Sequence, residues 1–206
     1  MQRRTVPEAH PNLALFISNL AALLYEKGED QAAIDSAREA LDLRRKYLRK
    51  DHPQVADGAA MLAYWQMQLG EYEEAERLLD ECLAIRKKTL GPSHPDVASA
   101  LTLKANVELA LRRYGEAHET ASNARQILEE SLSRDHWRVA AAVNAQGAAL
   151  AGLGRYDEAE TLLIESNGIL ETAPMPGVFD QSRQRLAMLY RAWGRQEEAR
   201  KYVTPK

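Results

Sequence analysis

Four of the five histidines in this chain, His10, His52, His94 and His136, recur every 42 residues; the first three are followed by proline and the last by Trp137. Imidazole is a common metal ligand and general base, so the row is the first place to look for chemistry. Zinc ligands must converge within about 2.0–2.3 Å of one ion. A fixed 42-residue step instead puts each histidine at the same place on successive structural units, about 10 Å apart at helix-packing spacing. Such a row cannot close on an ion. His-Pro reads as a helix-entry element, with the histidine capping or packing and the proline in the first turn, where its missing N–H costs nothing. His118 stands alone and reads as a surface residue.

The other reactive residue types have equally structural accounts. Glu71, Glu73 and Glu74, and again Asp157, Glu158 and Glu160, begin predicted helices, where carboxylates match the positive end of the dipole. Glu129 and Glu130 follow a second helix. Cys82 falls where Ala40 and Ala124 fall one period away, so it reads as a small buried hydrophobe rather than a nucleophile. There is no Gly-x-Ser-x-Gly, no phosphate loop and no dinucleotide fingerprint. The residues therefore point to no catalysis, no metal and no cofactor.

The elements that carry these residues follow from the period. The 42-residue shift also superposes Ala33, Ala75, Ala117 and Ala159, and Leu43, Ile85, Ile127 and Ile169. A repeat of this length marks a solenoid. The expected fold is all-α: a right-handed superhelical solenoid of stacked antiparallel helix pairs, one domain over 1–206, with repeats near 10–51, 52–93, 94–135, 136–177 and a truncated 178–206. In the first unit Leu13, Phe16, Ile17, Leu20, Leu23 and Leu24 recur at three- and four-residue steps and predict one apolar helix face. Gly28 ends that helix, and Asp30 is the expected N-cap of the next. Arg44, Arg45, Lys46, Arg49 and Lys50 crowd the second helix's C-terminal end, which reads as a solvated, dipole-matched terminus. The third unit departs from the pattern: Lys104 replaces a leucine, and Arg112 replaces the turn glycine, with Gly115 as the expected source of turn freedom. The fourth unit is rich in small residues, including Gly147 and Gly152, and should hold the most enclosed helix. Arg183, Arg185, Arg191, Arg195, Arg200 and Lys201 make the fifth unit polar, as expected of a capping repeat.

The totals narrow the partners. The net charge is −3, with 27 basic and 30 acidic residues well mixed, which gives no basic field for nucleic acid or an anionic membrane. The longest apolar stretch, Val139 to Leu153, is interrupted by Asn144, Gln146, Gly147 and Gly152, so no membrane span is expected. A single cysteine excludes an intramolecular disulfide and suggests a reduced, cytoplasmic setting. Met1 to Pro7 lack the apolar core of a signal peptide, and the abrupt in-phase start suggests a fragment of something longer.

Leu62-Ala63, Gly70, Tyr72, Ala75 and Cys82 together resemble the tetratricopeptide repeat. The 42-residue length and the linker Leu90-Gly91-Pro92-Ser93-His94-Pro95-Asp96-Val97-Ala98 resemble the variant found in kinesin light chains and many bacterial proteins. A narrower resemblance, carried by Arg3 to Pro11 and Leu186 to Gly194, is to bacterial serine/threonine kinases that end in such repeats. It implies a regulatory or docking tail, since no kinase phosphate loop, His-Arg-Asp or Asp-Phe-Gly is present.

The family resemblance implies a non-catalytic scaffold that binds a peptide or partner protein in a concave groove lined by the first helices. Carried over by register, the groove residues are Ser18 and Tyr25; Asp57, Tyr64 and Met67; Thr102 and Asn106; Asn144; and Gln184 and Arg191. Asn, Gln and Thr there are expected to pair with an extended peptide's backbone, and Tyr25, Tyr64 and Met67 to hold apolar side chains. The Lys/Asn clamp of relatives that hold C-terminal carboxylates is missing. The expected partner is a protein or peptide, with no nucleic acid and no membrane, for a monomer or weak homo-oligomer. Self-association through the end repeats is the structural alternative. The departures Lys104, Arg112, Tyr64 and Asn106 are where function is expected to show.

Overall fold

The computed structural model describes residues 11–174 and 177–203, so the segment 1–10, with His10 and Arg3 to Ala9, lies outside the described residues. Every regular element among the described residues is a helix: α1 (Pro11–Glu26), α2 (Asp30–Tyr47), α3 (Pro53–Gln68), α4 (Tyr72–Leu90), α5 (Pro95–Ala110), α6 (Tyr114–Glu129), α7 (Trp137–Gly152), α8 (Tyr156–Leu170), α9 (Val178–Ala192) and α10 (Gln196–Lys201). Contacts gather into two compact units, Met1–Pro92 with α1 to α4 and Ser93–Lys206 with α5 to α10.

The repeat signals act at helix ends. His52, His94 and His136 each accept a hydrogen bond at Nδ1 from the backbone N–H two residues on, in Gln54, Asp96 and Arg138. Each first helix stops in the same left-handed turn. The N–H of Glu29, Glu71, Arg113, Arg155 and Arg195 reaches back to the carbonyl of Leu24, Gln66, Glu108, Leu150 and Tyr190. This is the six-to-one bond of a Schellman end, and it needs positive φ just before the donor. Glycine supplies it in four hairpins, and in the third Arg112 itself takes φ 59°. Gly115 does not carry that strain; it lies inside the first turn of α6. Asp30 is likewise not a cap: Glu29 holds the N-cap position of α2, without a side-chain bond.

The recurring alanines Ala33, Ala75, Ala117 and Ala159 are all fully buried, and so is Cys82. In the first unit α2 packs against both α1 and α3. That arrangement buries Val55, Ala59 and Leu62 on α3, whereas their register-mates on α1 fare differently. Leu13, Phe16, Leu20 and Leu23 stay exposed, and α1 buries Ala14, Ser18 and Ala21 instead. The predicted apolar face is thus open on α1, whereas on α3 the corresponding face, at Gly58, lies against Leu41 and Arg44 of α2.

In the second unit α7 packs against α5, α6, α8 and α9. Its small residues make this possible. A Cβ on Gly147 would meet Leu163 at 2.9 Å, and one on Gly152 would meet the Tyr114 ring at 2.3 Å. At the unit's end, Glu160 of α8 accepts hydrogen bonds from Tyr190 and Arg195, and Arg195 lies over the Trp193 ring. Burial, and then the Glu160 bond, raise the Tyr190 hydroxyl above the usual tyrosine range.

Candidate interaction surface

In the first unit, the first helices α1 and α3 meet through aromatic side chains. Tyr25 stacks on Trp65 with ring centroids 5.8 Å apart. Tyr64, the next residue on α3, is 38% exposed beside them. Burial, and next the neighbouring Tyr25, raise its hydroxyl above the ordinary tyrosine value. Met67, one turn further along α3, is buried. Asp57 is exposed at the other end of the helix and accepts a 2.9 Å hydrogen bond from Arg86 of α4. Ser18 does not face solvent. Its hydroxyl donates to the Ala14 carbonyl and accepts from Arg44 of α2 at 2.9 Å.

Arg44 departs from the solvated role expected of its basic cluster. Its side chain is half-buried, and a Cβ on Gly58 of α3 would stand 2.6 Å from its Nη1. The glycine is what lets the guanidinium pass. Burial lowers the Arg44 pKa, and the charge of nearby Asp57 opposes that shift. The rest of the cluster is solvated but engaged: Arg45 pairs with Glu81, and Asp51 with Lys88 and Arg49.

In the second unit, a polar network ties the first helices α5, α7 and α9 together. Asn144 of α7 is buried, and its Nδ2 donates to the hydroxyls of Ser166 on α8 and Ser182 on α9, both at 2.9 Å. That fixes which way the amide points, and its Oδ1 faces Arg185 of α9. Arg185 Nη1 donates to Asn144 Oδ1 at 2.8 Å, and its Nη2 to Asn106 Oδ1 on α5 at 2.7 Å. Burial pulls the guanidinium down to about 10, and no charge opposes the shift. Thr102 is buried and bonds the Ala98 carbonyl, while Gln184 and Arg191 are exposed on α9.

The expected groove residues thus divide. Tyr25 with Tyr64, and Asn106 with Asn144, are brought together within their own units; Met67 is buried one turn from Tyr64, Asp57 bonds Arg86, and Gln184 and Arg191 are exposed. Ser18, Thr102 and Asn144 spend their polar atoms on the protein itself. Arg185, which the composition of the last repeat places among its polar capping residues, is a member of this network. Its signal was available: allowing for the shorter last step, it holds the register of Met61, Leu103 and Ala145, all apolar. Lys104 lies beside Glu108 on α5, and Glu108 is buried with its carboxyl pushed upward by that burial; Thr120 and Lys104 partly oppose it.

No group of three or more metal-binding side chains gathers among the described residues, and none of their helices is long and apolar enough to cross a membrane. Tetratricopeptide-repeat family models match residues 13–54, 57–130 and 180–204. No curated protein sequence matches the chain. Among solved structures, the chain is similar to a putative kinesin light chain from Podosopora anserina with nearly identical tetratricopeptide-like repeats. The two are 26% identical, the match covers 94% of this chain and 92% of that one, and the TM-score is 0.71. BtubC from P. vanneervenii is 23% identical over 94% of this chain and 78% of its own, with a TM-score of 0.70. A Rap protein complexed with competence and sporulation factor is 16% identical over 92% of this chain and 51% of its own, with a TM-score of 0.76.

Proposed function

Because the chain belongs to the tetratricopeptide-repeat family, we propose that it is a non-catalytic interaction module that takes an extended peptide segment of a partner protein on its first helices. The observation that carries this reading is the difference between first and second helices in the first unit. In the first unit the second helices present ion pairs such as Arg38–Asp35, Arg45–Asp42 and Arg77–Glu74. The first helices present the half-exposed Tyr64 ring beside Tyr25, which stacks on the buried Trp65. Rigid, amphipathic aromatic side chains of this kind supply most of the energy at protein interfaces, whereas exposed ion pairs supply little.

The 42-residue period, with a last step two residues shorter, supports treating residues 1–206 as one functional domain, and the balanced charge supports a protein rather than a nucleic acid as partner. The test is affinity capture with wild type and with Tyr64→Ala/Gln184→Ala, both exposed positions. Loss of the specific partners with an unchanged far-UV spectrum supports the reading. Equal recovery by both proteins overturns it.

A further inference from the structure

A guanidinium has five N–H donors, and Arg185 uses two of them on asparagine oxygens. Among the described residues no carboxylate pairs with it, although it is mostly withdrawn from water and so loses much of its hydration. Partly buried cations are ordinarily matched by an acid. Arg44 in the first unit at least has an acid's charge nearby, that of Asp57, which opposes its shift while pairing with Arg86. Arg185 is instead held in place by neutral groups. Asn144 cannot turn its amide without losing both serine bonds, so its oxygen remains a fixed rest for Nη1. Asn106 fixes Nη2 from the opposite side. On α7, the register position of Asn106 and Met188 carries only Ala148, so no long side chain there competes for the space.

We propose that Arg185 receives the carboxylate of an aspartate or glutamate side chain from an extended peptide lying across α5, α7 and α9. This rests on the reading that the first helices bind a peptide. It changes what the asparagines do: Asn106 and Asn144 do not read the peptide backbone but hold the group that reads its charge. A prepositioned guanidinium offers a carboxylate charge-assisted bonds in a fixed fork, and the sparse local water strengthens them. The ligand group is a side chain rather than a chain end, because the guanidinium reaches from α9 past α7 to α5 and so sits in the middle of the surface. Met188 lies one turn from Arg185 on α9 and is 65% exposed, which suits an apolar residue close to the acid in the partner.

The experiment is selection from a displayed random peptide library against the full chain, followed by titration of the best peptide and two altered forms. One form replaces the acid by its amide, and the other has an amidated C-terminus. Proteins are wild type, Arg185→Gln, which keeps a donor for Asn144 Oδ1, and Asn106→Asp, which gives Arg185 an internal acid. The expected result is a fixed Asp or Glu position in the selected peptides. Removing that acid weakens binding to wild type about 10-fold and to either variant less than about 2-fold. Selected peptides with no acidic position overturn the assignment to Arg185 and leave the peptide-binding reading standing. So does an equal loss on wild type and Arg185→Gln, or a loss on C-terminal amidation alone. A wild type that selects no peptide at all overturns both.

Discussion

Arg44 and Arg185 each cross between neighbouring helices, one in each unit, and each unit answers its own differently. Arg44 slips over Gly58, bonds Ser18 and feels the charge of Asp57, a carboxylate that itself pairs with Arg86. Arg185 reaches two asparagines and lies near no acid among the described residues. The first arrangement joins helices and has an acid's charge within reach. The second fixes a cation and leaves its charge unmatched, which is the state expected of a group built for a ligand rather than for stability.

The largest effect should come from breaking the second arrangement. Asn144→Leu strands Arg185 and removes the partner of two buried serine hydroxyls, and should cost about 3 kcal/mol of stability in urea unfolding. A cost under about 0.5 kcal/mol would mean the network holds nothing in place. Next is the packing that brings α7 into that network: Gly152→Ala drives a methyl into Tyr114 and should cost about 2 kcal/mol by the same assay. The comparison is sharpened by making the second unit resemble the first. Asn106→Asp supplies Arg185 with an acid and should raise stability by about 1 kcal/mol, read from the denaturation midpoint at pH 7. If the midpoint falls, the charge of Arg185 was already matched.

Smaller effects bear on the frame around the two arginines. Arg112→Gly relieves a side chain held at positive φ in the third hairpin turn and should gain about 1 kcal/mol. Asp51 gives the least. The Lys88 and Arg49 bonds hold its carboxyl down at about 2, well below its ordinary value. A depressed carboxyl stabilises the fold above its unfolded value, and that contribution is lost as pH falls from about 4 through about 2. Lys88→Gln should therefore flatten the acid limb of a stability–pH curve, and an unchanged limb would remove Asp51 from the account.

The fold was legible because a 42-residue period repeats its punctuation: the His-Pro entry, the turn glycine and the buried alanine recur where backbone bonds require them. Arg112 escaped because the turn keeps its geometry even without glycine, so the sequence showed a departure and not which residue would bear it. The apolar stripe of α1 was read correctly as a stripe, but burial depends on which neighbour arrives, and periodicity within one helix is silent on that. The candidate surface was half legible. Tyr64 and Asn106 stand out by register, whereas the role of Asn106 depends on a partner 79 positions away. An arginine in a polar last repeat looks like solvation until its neighbours are placed.

The most direct measurement of the central claim is site-specific photo-crosslinking. A benzophenone side chain is placed in turn at Tyr64 and Met188 on first helices and at Arg77 and Ile164 on second helices, all exposed positions. First-helix binding predicts partner adducts from Tyr64 and Met188 and none from Arg77 and Ile164. Adducts confined to Arg77 and Ile164 would contradict it.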